Sequence, residues 1–246
     1  MTTSSDDGPS WSDIADWYDE LLVAGSGPHE HAIECLDRLL PPIGEGIAVL
    51  DVACGQGIAA RHLASLGAAV TGTDYSPTML ANARRQAEAS DTDIRWVEAD
   101  AQDLAPFADA SFDLVTCQLA LMDIPDLDAA LRSIRRVMRD EASLVFVIGH
   151  PVFLTPGARM EAGADGSTEV TISGYLREHF WRSANPEGVR RAGNYQRTMS
   201  TYLTALAGAG LRIVEAEELG ATGRLAQERP AYAQVPMFFS ARAVTV

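Results

Sequence analysis

The chain is short of several things, and each shortage removes a class of function. Only three cysteines occur, Cys35, Cys54 and Cys117, with no C-x-x-C spacing. That number is odd and the spacing irregular, so reduced thiols are expected rather than a disulfide framework. No cluster of His, Cys, Asp and Glu has metal-ligand spacing, and no metal is expected. Positive charge is scarce as well: 19 basic against 34 acidic residues give a formal net charge of −15. Such a surface repels phosphate backbones and anionic headgroups, so neither nucleic acid nor membrane is an expected partner. No run approaches the roughly 18 apolar residues that cross a bilayer. The opening "MTTSSDDGPS" lacks the basic start and apolar run of a secretion signal, so a cytoplasmic location is expected, with residues 1–10 as a disordered tail. No internal repeat is visible.

What remains is an ordinary globular composition, 47% hydrophobic over 246 residues, enough for one sizeable core. Two helical patterns come first. "SDIADWYDELLVA" offers Ser12 as N-cap, with Ile14, Trp17, Leu21 and Leu22 on one side. "GPHEHAIECLDRLLPP" follows and stops at Pro41-Pro42. From residue 45 to 150, apolar strands alternate with helices, which predicts a parallel sheet covered on both faces. Gly67 is the expected helix stop. Ser76 and Asp126 are the expected helix caps, with Pro77 at the first helical position. Residues 151–194 break the rhythm. They are rich in Gly and Pro, carry Phe153, Tyr175, Phe180 and Trp181, and leave room for a short helix at "GYLREHFWRS"; a lid over a site is the expectation. Residues 195–246 read as a helix, opened by Asn194-Tyr195-Gln196-Arg197, and two strands that close the sheet antiparallel.

The chemistry concentrates at "VLDVACGQGIAARHLASLG". Gly55 and Gly57 let a ligand approach the backbone where a strand meets a helix N-terminus. Asp51 sits inside the strand, where an acid is costly without a partner. Asp74 ends the next strand and Asp100 follows the third. Three acids at three successive strand ends suit a ligand with a ribose, an amino group and a base-edge amine. "GQGIAA" also fits the G-x-G-x-x-A of a nicotinamide-dependent oxidoreductase, with Asp74 about 20 residues on. That reading leaves Asp51 and Asp100 without work.

These residues resemble the class I methyltransferases that use S-adenosylmethionine. "VLDVACGQG" looks like the family's glycine-rich first motif, with Ala53 where glycine is more usual. "VTGTDYSPTMLANAR" and "VEADAQDLAPFADASFDLVTCQLALMDIPD" look like the next two motifs. The resemblance covers residues 45–150 well and the flanks loosely. It implies a Rossmann-like, doubly wound α/β fold: a mostly parallel seven-stranded sheet with an antiparallel last strand, helices on both faces, a helical cap over 11–44 and a lid insertion. It also implies S-adenosyl-L-methionine as cofactor and S-adenosyl-L-homocysteine as product. By the same resemblance Asp51, Ala53, Gly55, Gly57 and Gln118 frame the methionine end. Asp74 takes the ribose, Tyr75 and Met79 line the pocket, Asp100 and Ala101 meet the adenine, and Tyr18 closes a helix over the cofactor.

The implied activity is methyl transfer to O, N or C of a small acceptor, a natural-product intermediate by the aromatic lid, in a monomer or homodimer. A protein of this fold that uses bound cofactor to promote a cyclisation would read the same. His150, at the end of the strand "SLVFVIG", and Asp123 are the candidate catalytic groups. His29, His31, Phe153, His179 and Trp181 are candidate substrate contacts, and His62 is expected at the surface. Gln196 stands where relatives with similar text often carry His.

Overall fold

The computed structural model describes residues 8–246. In chain order the strands are β1 (Ala48–Val52), β2 (Ala69–Asp74), β3 (Arg95–Glu98), β4 (Phe112–Gln118), β5 (Met138–Gly149), β6 (Ala158–Ala162), β7 (Thr168–Ile172), β8 (His179–Trp181), β9 (Asn194–Gln196), β10 (Leu211–Glu217) and β11 (Phe238–Thr245). Seven of them form one sheet in the order β3-β2-β1-β4-β5-β11-β10. The first five run parallel, and β11 is antiparallel to both its neighbours. This is the doubly wound, Rossmann-like arrangement that the sequence led us to expect, including its antiparallel close. The strand order reverses between β1 and β4, which opens a crevice at their carboxyl ends.

The helices are α1 (Ala15–Val23), α2 (Gly27–Leu39), α3 (Ile58–Ser65), α4 (Pro77–Ala89), α5 (Leu127–Val137), α6 (Met199–Gly208) and α7 (Gly223–Glu228). The sheet feeds a core on each face. Leu50, Val52, Val115, Leu144, Phe146 and Ile148 pack with Leu131, Ile134 and Leu206 of α5 and α6. Val49, Leu114, Val145 and Val147 pack with Leu36, Leu39, Leu63 and Leu225 of α2, α3 and α7. Successive strand residues therefore bury on opposite faces, which is why the strands read as near-continuous apolar runs.

The caps hold where the sequence places them. Ser76 Oγ accepts from Met79 N at 3.3 Å, and Asp126 Oδ1 accepts from Ala129 N at 2.8 Å. Three expectations fail. Ser12 does not cap the first helix, which starts at Ala15; its hydroxyl donates instead to Ser76 Oγ at 2.8 Å. No helix forms at "GYLREHFWRS": His179–Trp181 is a strand, with Phe180 opposite Tyr195 at 5.0 Å between ring centroids. A cross-strand aromatic pair favours extended backbone here over a helical turn. For the same reason residues 194–196 are strand, and Thr198 caps α6. Of the expected tail, residues 1–7 lie outside the described residues; Pro9 O accepts from Arg182, and Ser10 N donates to Asp13 Oδ2.

Candidate active site

The crevice at the strand ends is a cavity of about 360 Å³. Asp51, Ala53 and Gly55 line it from the β1 turn, Asp74, Tyr75 and Met79 from β2 and α4, Asp100 and Ala101 from the turn after β3. Gln118 and Asp123 line it after β4, and Tyr18 and His29 close it from α1 and α2.

The β1 turn is tightly wound. Ala53, Gly55 and Gly57 have φ of 52°, 54° and 77°. The left-handed region is costly for a residue with a Cβ, so Ala53 holds this conformation at a strain that glycine would not carry. The two glycines do different work. A Cβ on Gly55 would meet nothing within 4 Å, so the backbone here is open to a ligand. A Cβ on Gly57 would lie 2.3 Å from Cη2 of Trp96, and Gly57 is not part of the cavity wall. Gly57 makes room for the Trp96 ring, which corrects its expected place at the methionine end.

Each acid has a distinct environment. Asp51 is buried opposite Thr116, whose hydroxyl donates to Oδ1 at 2.8 Å; its Oδ2 has no partner among the described residues. Burial pushes the Asp51 carboxyl up to about 7, against the pull of Thr116. Asp74 accepts from Gly55 N through Oδ2 and from Ser76 N through Oδ1, both at 2.9 Å. Burial raises its carboxyl, and those N–H groups oppose the shift. Asp100 is exposed and bracketed by Gln102, whose backbone N and side-chain amide both donate to it. An unpaired buried lone pair, an open glycine turn and two partly satisfied carboxylates fit an adenosyl group with an amino-acid tail.

Elsewhere on the cavity wall, Asp123 Oδ1 pairs with Arg190 Nη1 at 3.2 Å. Burial still lifts the Asp123 carboxyl to about 7, because desolvation outweighs the Arg190 charge. Tyr18 Oη and His29 Nε2 are 2.6 Å apart, and His29 Nδ1 meets Ser26 Oγ at 2.8 Å. Burial and then the Arg190 charge push His29 down to about 4, so its ring is neutral at neutral pH.

The other expected contacts lie elsewhere. Val152 N donates to His150 Nδ1 at 3.2 Å, and Nε2 meets Glu218 Oε1 at 2.6 Å. Both ring nitrogens are committed, and the residue borders a separate cavity of about 20 Å³ with Trp181. Phe153 packs on His150 at 4.6 Å. His31 is buried against Phe238, near Glu34 and Leu219 O. His179 is exposed beside Arg177 O. His62 pairs with Asp37 at the surface. Of the five histidines only His29 reaches the main cavity. Gln196 is buried and donates to Gly174 O and Tyr175 O. Burial pushes the Cys54 and Cys117 thiols up, which suits packing rather than nucleophilic chemistry.

Sequence reasoning missed Trp11, Gln56, Gln102 and Arg190. Trp11 borders the assumed tail. Arg190 sits in the aperiodic stretch, and no spacing ties it to Asp123.

The family described as "Methyltransferase domain" matches residues 50–146. Residues 50–146 are thus similar to a methyltransferase domain. Demethylmenaquinone methyltransferase of Thermus thermophilus is 42% identical over 99 residues, 39% of this chain and 44% of that protein. Malonyl-[acyl-carrier protein] O-methyltransferase of Pseudescherichia vulneris is 40% identical over 112 residues, 45% of this chain and 43% of that protein. The chain thus spans less than half the length of these curated relatives. A solved S-adenosylmethionine dependent methyltransferase from Mesorhizobium loti superposes with a TM-score of 0.69 at 28% identity, covering 89% of this chain and 98% of the other. Among the described residues no helix is long and apolar enough to cross a membrane, and no group of three or more potential ligands gathers for a metal.

Proposed function

We propose that the chain transfers the methyl group of S-adenosylmethionine to O, N or C of a small organic acceptor. The observation that carries this reading is the convergence of Asp51, Asp74 and Asp100 with the Gly55 turn on one cavity. In this assignment Asp74 takes the ribose hydroxyls. Asp100, Ala101 and Met79 hold the adenine. Asp51, Gly55 and Gln118 surround the amino-acid end.

When bound, the sulfonium supplies an activated methyl, so the chain's own work is to position, desolvate and, where the acceptor loses a proton, to receive it. Asp123 and the Tyr18–His29 pair are the groups on the acceptor side of the cavity that exchange protons. The other histidines have no such access. A natural-product intermediate as acceptor rests on composition alone, since Phe153, Tyr175, Phe180 and Trp181 lie outside the cavity wall; the charge of −15 supports a small molecule over nucleic acid. A cytoplasmic monomer or homodimer completes the proposal.

Two measurements test it. Calorimetric titration with S-adenosylhomocysteine should show one site per chain, whereas a nicotinamide cofactor should not bind. Mass spectrometry of products from an acceptor screen should show the gain of one methylene. A product of unchanged mass would replace transfer by a cofactor-assisted rearrangement.

A further inference from the structure

The first helix is held in an unusual way. Of its residues only Ala15 and Asp19 are buried. Trp17, Tyr18, Leu21 and Leu22 are half-buried, and Val23 is 68% exposed. No residue of α1 belongs to either core, so its apolar packing is peripheral. Tyr18 bonds to His29 of α2 at 2.6 Å and the Arg191 guanidinium lies 3.9 Å from the centre of the Trp17 ring; the remaining attachments are polar and reach mainly to α4. Asn82 Nδ2 donates to Ala15 O at 3.4 Å and to Asp16 Oδ1 at 3.3 Å. Just before the helix, Ser12 Oγ donates to Ser76 Oγ.

The centre of these attachments is Asp19, only 7% exposed. Its Oδ1 accepts from Gln56 Nε2 and Gln86 Nε2, each at 3.2 Å, and its Oδ2 from Arg85 Nη2 at 2.5 Å. A buried carboxylate without donors is costly, so the pocket that receives it is specific. Two donors come from α4. The third comes from the glycine turn itself: Gln56 lies between Gly55 and Gly57 and borders the cavity. The neighbouring residue on α1, Tyr18, closes the cavity on the other side, with Trp11 edge-on to it at 5.4 Å. One helical turn thus carries a closing side chain and, next to it, an acid that plugs into the turn expected to hold the cofactor.

We infer that Asp19 is a positioning residue that keys α1 shut over the cofactor cavity, so that the lifetime of bound cofactor is set by the bonds from Gln56, Arg85 and Gln86 to this one carboxylate. The inference rests on the reading of the cavity as an S-adenosylmethionine site. It assigns no contact between Asp19 and the cofactor. A helix held by polar bonds opens at modest cost, because water replaces each bond, whereas a helix held by apolar packing does not. Entry and release then proceed by swinging α1 away without disturbing either core.

The test uses the full chain and S-adenosylhomocysteine as probe. Its dissociation rate is measured by stopped flow, and amide hydrogen exchange is followed with and without the probe. Asp19→Ala should release the probe at least about tenfold faster, the scale of lost charge-assisted bonds, with association changed far less. Exchange should rise in α1 and stay unchanged in β4 and β5. Asp19→Asn, which keeps one acceptor oxygen, should fall between. If Asp19→Ala does not fold, Gln86→Ala and Arg85→Met remove donors from the α4 side and should speed release in the same direction, less steeply. Release at the wild-type rate from a folded variant, or exchange raised equally in β4 and β5, overturns the inference alone. A wild-type chain that binds no S-adenosylhomocysteine overturns the cofactor reading and this inference with it.

Discussion

Tyr18 and His29, on consecutive helices, share a 2.6 Å hydrogen bond at the rim of the cavity, and Ser26 fixes the far side of the imidazole. The bond joins α1 to α2 at the point where both meet the site. Tyr18→Phe keeps the ring and removes the hydroxyl, leaving His29 Nε2 without that partner. The unfolding free energy should drop by about 1 kcal/mol, read from urea denaturation. No change would mean that water already serves the imidazole there.

Asp74 holds the backbone N–H groups of Gly55 and Ser76, so it shapes the turn as well as facing the cavity. Asp74→Ala should weaken S-adenosylhomocysteine binding by about 1–3 kcal/mol in calorimetry. Unchanged affinity would remove Asp74 from the ribose.

The acids were legible in the sequence because Asp51 stands inside an apolar strand, Asp74 ends the next and Asp100 follows the third, where a carboxylate has no packing reason to be. The parallel sheet was legible for a similar reason, the unbroken apolar runs. Arg190 escaped because it lies in the aperiodic stretch. Arg190 meets Asp123 across 67 positions, and only the folded chain brings them together. His150 misled because a histidine at a strand end on the ligand side is well placed in one dimension. In three, its nitrogens are taken by Glu218 and Val152. Nothing in the sequence singles out Asp19, because its donors lie 37 to 67 positions away.

His150 also gives a clean separation of stability from binding. It borders the smaller cavity and ties the end of β5 to Glu218. His150→Ala should lower the unfolding free energy by about 1–3 kcal/mol and leave calorimetric affinity for S-adenosylhomocysteine unchanged. A loss of affinity with stability intact would return His150 to the site.

The first turn makes a prediction of opposite sign at two neighbouring positions. Ala53 occupies the left-handed region with a Cβ, so Ala53→Gly should raise thermal stability, by about 1 kcal/mol. Gly57→Ala adds a Cβ against Trp96 and should cost about 2 kcal/mol or more. Thermal melts of the two variants should shift in opposite directions. A stabilised Gly57→Ala would mean that the Trp96 ring moves aside freely.

Asp51 and His29 should bend the pH dependence of stability in opposite ways. The folded Asp51 carboxyl is pushed up to about 7 from an unfolded value near 4. Between those values the folded chain binds the extra proton, so the contribution of Asp51 is full at pH 4 and is lost as pH rises through 7. The folded His29 is pushed down to about 4 from an unfolded value near 6.5. There the unfolded chain binds the extra proton, so the His29 contribution is full above pH 6.5 and is lost as pH falls toward 4. In the wild type the two slopes oppose each other over the shared window. Asp51→Asn removes the downward slope, and its stability relative to wild type should climb between pH 4 and pH 7. His29→Gln removes the upward slope, and its relative stability should climb as pH falls from 6.5 to 4. Urea denaturation of the three proteins at pH 4.5, 6 and 8 reads both differences. Parallel curves for wild type and Asp51→Asn would mean that Asp51 is ionised in the folded chain throughout, with a partner for Oδ2 that burial has not excluded.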